Sequence, residues 1–136
     1  MPIFRIDLAS RGLRQAGCVG LLYYCTWHHD VWHHDVLGQI IRHFANQGRS
    51  REIYFYRDHH GREVDFLIPS AGRFALIECK WAESPGSTQR GFSEIETLVG
   101  ADRIISQTIV TPERGTRRAS ERVTIADSVA LDFLRG

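Results

Sequence analysis

Lysine is nearly absent from this chain. Sixteen of its 17 basic residues are arginine, and Lys80 is the single lysine. Cysteine is scarce as well. Cys18, Cys25 and Cys79 are odd in number and share no C-x-x-C spacing, which argues against a disulfide framework and against a structural zinc site. That usage fits a reducing compartment, and a cytoplasmic location is expected. There is no run of about 18 apolar residues, so no membrane span is expected. The opening residues 1–7 lack the apolar core and cleavage site of a signal peptide. Excess charge of either sign is also missing. With 17 basic and 16 acidic residues the formal charge is +1, which excludes a generally basic nucleic-acid-binding surface and leaves only local contacts.

What is present fits one globular domain over residues 1–136, with 43% hydrophobic residues. One exact tandem repeat stands out: Trp27-His28-His29-Asp30-Val31 is followed at once by Trp32-His33-His34-Asp35-Val36. A period of five matches neither helix nor strand. The four histidines and two aspartates invite a transition-metal site, but no ligand spacing fixes a geometry. An insertion tolerated in a loop or at a helix start is the preferred reading.

Beyond the repeat, Val36, Leu37, Ile40, Ile41 and Phe44 recur at helical spacing, and residues 46–48 supply a stop. Strands are expected over 52–58, 62–68 and 73–81, separated by turns at 59–61 and 69–72, which makes two successive hairpins. Residues 84–87 read as a turn and helix start, and Phe92, Ile95, Leu98 and Val99 mark a helix ended by Gly100. A buried strand over 103–110 follows, then a polar loop over 111–122 and a short strand over 123–126. Asp127 or Ser128 is expected to cap a last helix near Phe133 and Leu134. Residues 3–8 read as an edge strand. The whole describes a mixed sheet flanked by helices.

Alternation along residues 74–81 turns Glu78 and Lys80 to one side and Ile77, Cys79 and Trp81 to the other. In the preceding strand Val64, Phe66 and Ile68 are expected on one face, leaving Glu63, Asp65 and Leu67 on the opposite one. A hairpin then sets Asp65 beside Glu78 and Lys80. Two adjacent carboxylates suit a hard divalent cation such as Mg²⁺ or Mn²⁺ with oxygen ligands. Such an ion polarises a phosphate and acidifies water. Lys80 would orient or deprotonate that water, a role closed to arginine because its pKa lies above about 12. From the Glu-x-Lys spacing alone, a surface ion pair of little energetic weight is the simpler reading.

The longer pattern favours the site. Tyr54-Phe55-Tyr56-Arg57, then Gly61-Arg62-Glu63-Val64-Asp65-Phe66, then Ile77-Glu78-Cys79-Lys80 resembles the PD-(D/E)XK nuclease superfamily. More narrowly it resembles the nuclease-like DUF4143 domain found at the C-terminus of many AAA-type ATPases. The likeness is specific over residues 52–81 and weaker at Leu37-Gly38-Gln39 and at residues 2–7. It implies a restriction-endonuclease-like three-layer α/β fold, a mixed central sheet with antiparallel strands over 52–81 and helices on its flanks. It also implies Mg²⁺ or Mn²⁺ on Asp65 and Glu78, catalysis by Asp65, Glu78 and Lys80, and a nucleic-acid substrate, DNA before RNA. Arg57, Arg62, Arg117 and Arg118 are the candidate phosphate contacts.

Two departures qualify that expectation. Arg42 stands where relatives carry a glutamate on the first helix, and the phosphate-binding loop of an ATPase is absent from the chain. The alternative is therefore an inactive nuclease-fold module that binds nucleic acid or protein. Exposed aromatics admit a homo-oligomer interface, although three tryptophans in a domain of this size require none.

Overall fold

A computed structural model describes residues 3–7, 12–15, 18–19, 30–49, 52–81, 90–129 and 134. Among the described residues there is one mixed sheet of nine strands. The strands are β1 (Ile3–Asp7), β2 (Gly12–Gln15), β3 (Cys18–Val19), β4 (Tyr54–Arg57), β5 (Glu63–Ser70), β6 (Arg73–Cys79), β7 (Ile104–Thr111), β8 (Arg117–Arg118) and β9 (Val123–Asp127). Their lateral order is β3-β2-β1-β4-β5-β6-β7-β9-β8. Pairing is antiparallel from β3 to β6 and parallel for β6–β7 and β7–β9. Helix α1 (Asp30–Asn46) precedes β4, and α2 (Arg90–Val99) lies in the crossover between the parallel β6 and β7, as a parallel connection requires.

The two helices cover opposite faces, giving three layers. Val36, Leu37, Ile40 and Phe44 of α1 pack on Phe66, Ile68, Ile77, Cys79 and Val110. Phe92 and Ile95 of α2 pack on Tyr56, Val64, Leu67, Leu76, Ile109, Val123 and Ile125. The α/β three-layer expectation holds. Each buried aliphatic side chain contributes roughly 1.5–3 kcal/mol, so these two apolar layers supply the main stabilisation. Gly91, in the first turn of α2, sits so close to β5 that a Cβ there would lie 1.8 Å from the Glu63 carbonyl oxygen. Only glycine permits that approach. Among the described residues no helix is long and apolar enough to cross a membrane.

Several expectations need correction. The β5–β6 connection is a two-residue turn, Ala71-Gly72, with both φ values positive (50° and 76°), and Pro69 and Ser70 belong to β5. Pro69 fits there because β4 reaches only to the level of Leu67, so no partner on that side needs its missing N–H. The stretch 111–122 holds a short edge strand, β8, against β9. Strand β1 is not an edge strand, since β2 and β4 flank it. Helix α1 begins at Asp30, so the second copy of the repeat is helical. Residues 84–87 lie outside the described residues, as does most of the stretch expected to hold a last helix, residues 130–133. Asp127 Oδ1 does accept the Val129 N–H at 2.8 Å, the bond expected of a cap.

The expected alternation in β5 also fails, for an identifiable reason. Tyr54 pairs with Leu67 and Tyr56 with Val64, so between these pairs the single residue Phe55 of β4 opposes two of β5, Asp65 and Phe66. The extra residue is a bulge beside Asp65. Val64 therefore shares the α2 face with Leu67, while Phe66 and Ile68 face α1.

Candidate functional site

The bulge is what builds the site. The β5–β6 ladder is regular from Ser70↔Arg73 to Phe66↔Ile77 and stops there. The next amide of β6, Cys79 N–H, donates instead to Asp65 Oδ2 at 2.7 Å. A side-chain carboxylate thus takes the place of a strand carbonyl, which anchors Asp65 where the two strands part. On the other side of β6, Lys80 N–H donates to Val110 O at 2.9 Å and holds the backbone of Lys80 against β7.

Around this parting the structure brings together Glu63, Asp65 and Glu78. One carboxylate oxygen from each lies within 4.8 Å of the others. Lys80 Nζ donates to Glu78 Oε1 at 2.8 Å. Glu78 is only 3% exposed, and its second oxygen, Oε2, is buried with no hydrogen-bond partner. An orphaned buried carboxylate oxygen is costly and rare. Burial and the neighbouring Asp65 charge push the Glu78 carboxyl up to about 8, although Lys80 pulls the other way. Burial and Asp65 raise Glu63 too. For Lys80, burial opposes the charge, but the hydrogen bond to Glu78 and the charges of Glu78, Asp65 and Glu63 outweigh it and raise its pKa. The crowded acidic groups hold the proton on Lys80, and below about pH 8 they hold one on Glu78 as well. In the metal-free chain this electrostatics keeps Lys80 charged, the form that orients a water.

The donor set fits a hard dication. Magnesium binds oxygen at roughly 2.0–2.1 Å, so opposite ligands lie about 4.2 Å apart and adjacent ones about 2.9 Å, and the three oxygens, within 4.8 Å of one another, would draw inward around the ion. Asp65 and Glu78 would hold the ion, with Glu63 as a third ligand.

The candidate arginines are placed less uniformly. Arg57 is opposite Glu63 in the β4–β5 ladder, beside the cluster, and its charge lowers the Glu63 pKa. Arg62 is drawn into a bracket: its Nε meets Asp58 Oδ2 at 2.6 Å and its Nη1 meets Glu94 Oε2 of α2 at 2.7 Å. Burial alone would raise the Asp58 pKa, but the N–H and guanidinium of Arg62 and the N–H of His60 lower it to about 2. Arg117 and Arg118 are exposed on β8. Three strand spacings, roughly 14 Å, separate β8 from β6. Arg42 is exposed on α1, nine residues beyond His33 and so roughly 13 Å along the helix axis.

Sequence reasoning missed His33. Its Nε2 lies 3.1 Å from Asp65 Oδ2, and Trp32 beside it makes an edge contact with Trp81, ring centroids 5.4 Å apart. A signal was available. Positions 33, 36, 37, 40 and 44 continue the apolar stripe of α1 backwards by one turn, and that stripe faces the sheet.

No curated protein and no solved structure gives a significant match to the chain. One family model does, over residues 30–129, a span that begins with α1 and runs past β9 to take in every residue of the carboxylate cluster. The chain belongs to that family, described as "Domain of unknown function (DUF4143)".

Proposed function

We propose that this chain is a metal-dependent phosphodiesterase of PD-(D/E)XK type that hydrolyses nucleic acid, with DNA the favoured substrate. The observation that carries the reading is the buried, unpartnered Oε2 of Glu78 inside a carboxylate cluster beside the only lysine. Asp65 and Glu78 would bind Mg²⁺ or Mn²⁺. When bound, such an ion polarises the scissile phosphate and acidifies a water. Asp65 is held for that task by the Cys79 amide, and Glu78 by Lys80. The Lys80 side chain is 40% exposed at its hydrogen bond with Glu78. From there its ammonium orients the attacking water and offsets charge that develops on the phosphate. Arg57 is the nearest of the four candidate arginines for a flanking phosphate. Arg62 acts first as a tie between the β5 approach and α2.

The test is cleavage of DNA and of RNA in the presence of Mg²⁺ or Mn²⁺. Activity should require the added ion and disappear in Asp65→Ala and in Lys80→Ala. Equal residual cleavage in those variants would show a contaminant and leave the fold as a binding module without catalysis.

A further inference from the structure

We propose that His33, Asp65 and Cys79 form a second, softer metal site, which takes zinc(II). One ligand atom from each lies within 4.8 Å of the others: an imidazole nitrogen, a carboxylate oxygen and a thiol sulfur. These come from three elements, α1, β5 and β6, that meet on the α1 face of the sheet. His33 and Asp65 are already in contact at 3.1 Å, close to the edge of a zinc tetrahedron, in which Zn–N is about 2.0 Å, Zn–O about 2.0–2.2 Å and Zn–S about 2.3 Å. The same distance alone would describe an ordinary hydrogen bond. The sulfur decides the reading, because a thiol adds nothing to a histidine–carboxylate pair but is a preferred ligand for zinc and a poor one for magnesium.

Three protein ligands leave a fourth position open, the pattern of reactive rather than structural zinc sites. Coordination breaks the S–H bond of Cys79, forms a Zn–S bond and releases the proton to solvent, with no oxidant or reductant required. Glu63 and Glu78 offer only hard oxygens and belong to the magnesium-type site, so Asp65 is the residue common to both. The histidine repeat thereby acquires a partial use: His33 of its second copy is a ligand. The zinc site does not depend on nuclease activity.

The experiment titrates the full chain with Co²⁺, a spectroscopic substitute for zinc, and then displaces it with Zn²⁺. A thiolate-to-cobalt absorption band should appear and vanish on zinc addition. It should be lost in Cys79→Ser and retained in the Cys18→Ser/Cys25→Ser double variant and in Glu78→Gln. Zinc affinity should fall by at least about tenfold in His33→Gln. A band that survives Cys79→Ser, no band at saturating Co²⁺, or unchanged zinc affinity in His33→Gln would each overturn the site. His33 is a partly exposed helix position, so its variant decides the matter if Cys79→Ser does not fold. Magnesium-dependent cleavage is read separately, which keeps failure of this site distinct from failure of the nuclease reading.

Discussion

Glu78 is divided between two environments: Oε1 accepts a 2.8 Å hydrogen bond from Lys80 Nζ, and Oε2 is buried with no partner at all. A proton or a metal ion completes the second oxygen, and the two compete. A carboxyl whose folded-state pKa lies above its unfolded value stabilises the fold in its protonated form. That contribution is fully present below about 4.5 and is lost as pH rises through about 8. The metal-free chain should therefore lose stability, by something on the order of a few kcal/mol, as pH is raised across this window. Denaturant unfolding at a series of pH values measures it. Glu78→Gln should flatten the profile, and millimolar Mg²⁺ or Mn²⁺ should raise the alkaline side. A profile that is flat in the parent chain would refute the account.

Lys80 donates a hydrogen bond to Glu78 in the absence of metal but repels an incoming dication. Lys80→Gln should leave metal affinity equal or increased while cleavage falls by about 100-fold or more, since the loss concerns the phosphate and the water rather than the ion. Calorimetric metal titration alongside a cleavage assay separates the two effects. Metal affinity lost in parallel with cleavage would make Lys80 a structural residue instead.

Gly91 decides how closely α2 approaches β5. A methyl group there would overlap the Glu63 carbonyl, where no flexible side chain can yield. Gly91→Ala should cost roughly 1–3 kcal/mol, at the upper end because the obstacle is backbone. It should also weaken Mg²⁺ binding, because Glu63 must move. Thermal melts and metal titration of the same variant check both expectations.

Ala71 occupies the left-handed region at φ 50° in a two-residue hairpin turn followed by Gly72. That conformation costs an ordinary L-residue about 1–2 kcal/mol, and asparagine bears it more easily. Ala71→Asn should stabilise the chain by roughly 0.5–1 kcal/mol without altering metal binding, because the turn lies at the far end of β5 and β6 from Asp65 and Glu78. Equilibrium unfolding measures the gain.

Much of the architecture was legible from local chemistry. Apolar positions at 36, 37, 40 and 44 specify a helical face, glycines at 61 and 72 permit positive φ at the turns, and the Glu-x-Lys spacing sets Glu78 and Lys80 on one side, although β6 ends at Cys79, two residues short of the strand expected over 73–81. The residue types of the site, two carboxylates and the only lysine, were equally visible.

What tertiary structure alone decided is the meeting of those residues. A bulge depends on how two strands pair, so the sequence of β5 could not announce that two of its residues oppose one of β4, nor that Val64 and Phe66 take opposite faces. Whether Glu78 is balanced depends on counting the neighbours of each oxygen, and only the folded chain leaves Oε2 without one. His33 lies 32 positions from Asp65 and belongs to a repeat whose period matches no element; its approach follows from α1 packing along the strands that carry Asp65 and Cys79. The sequence by itself determined the elements and the chemical types of the site. Packing across the sheet decided which of those groups share one place, because burial and proximity are properties of the fold.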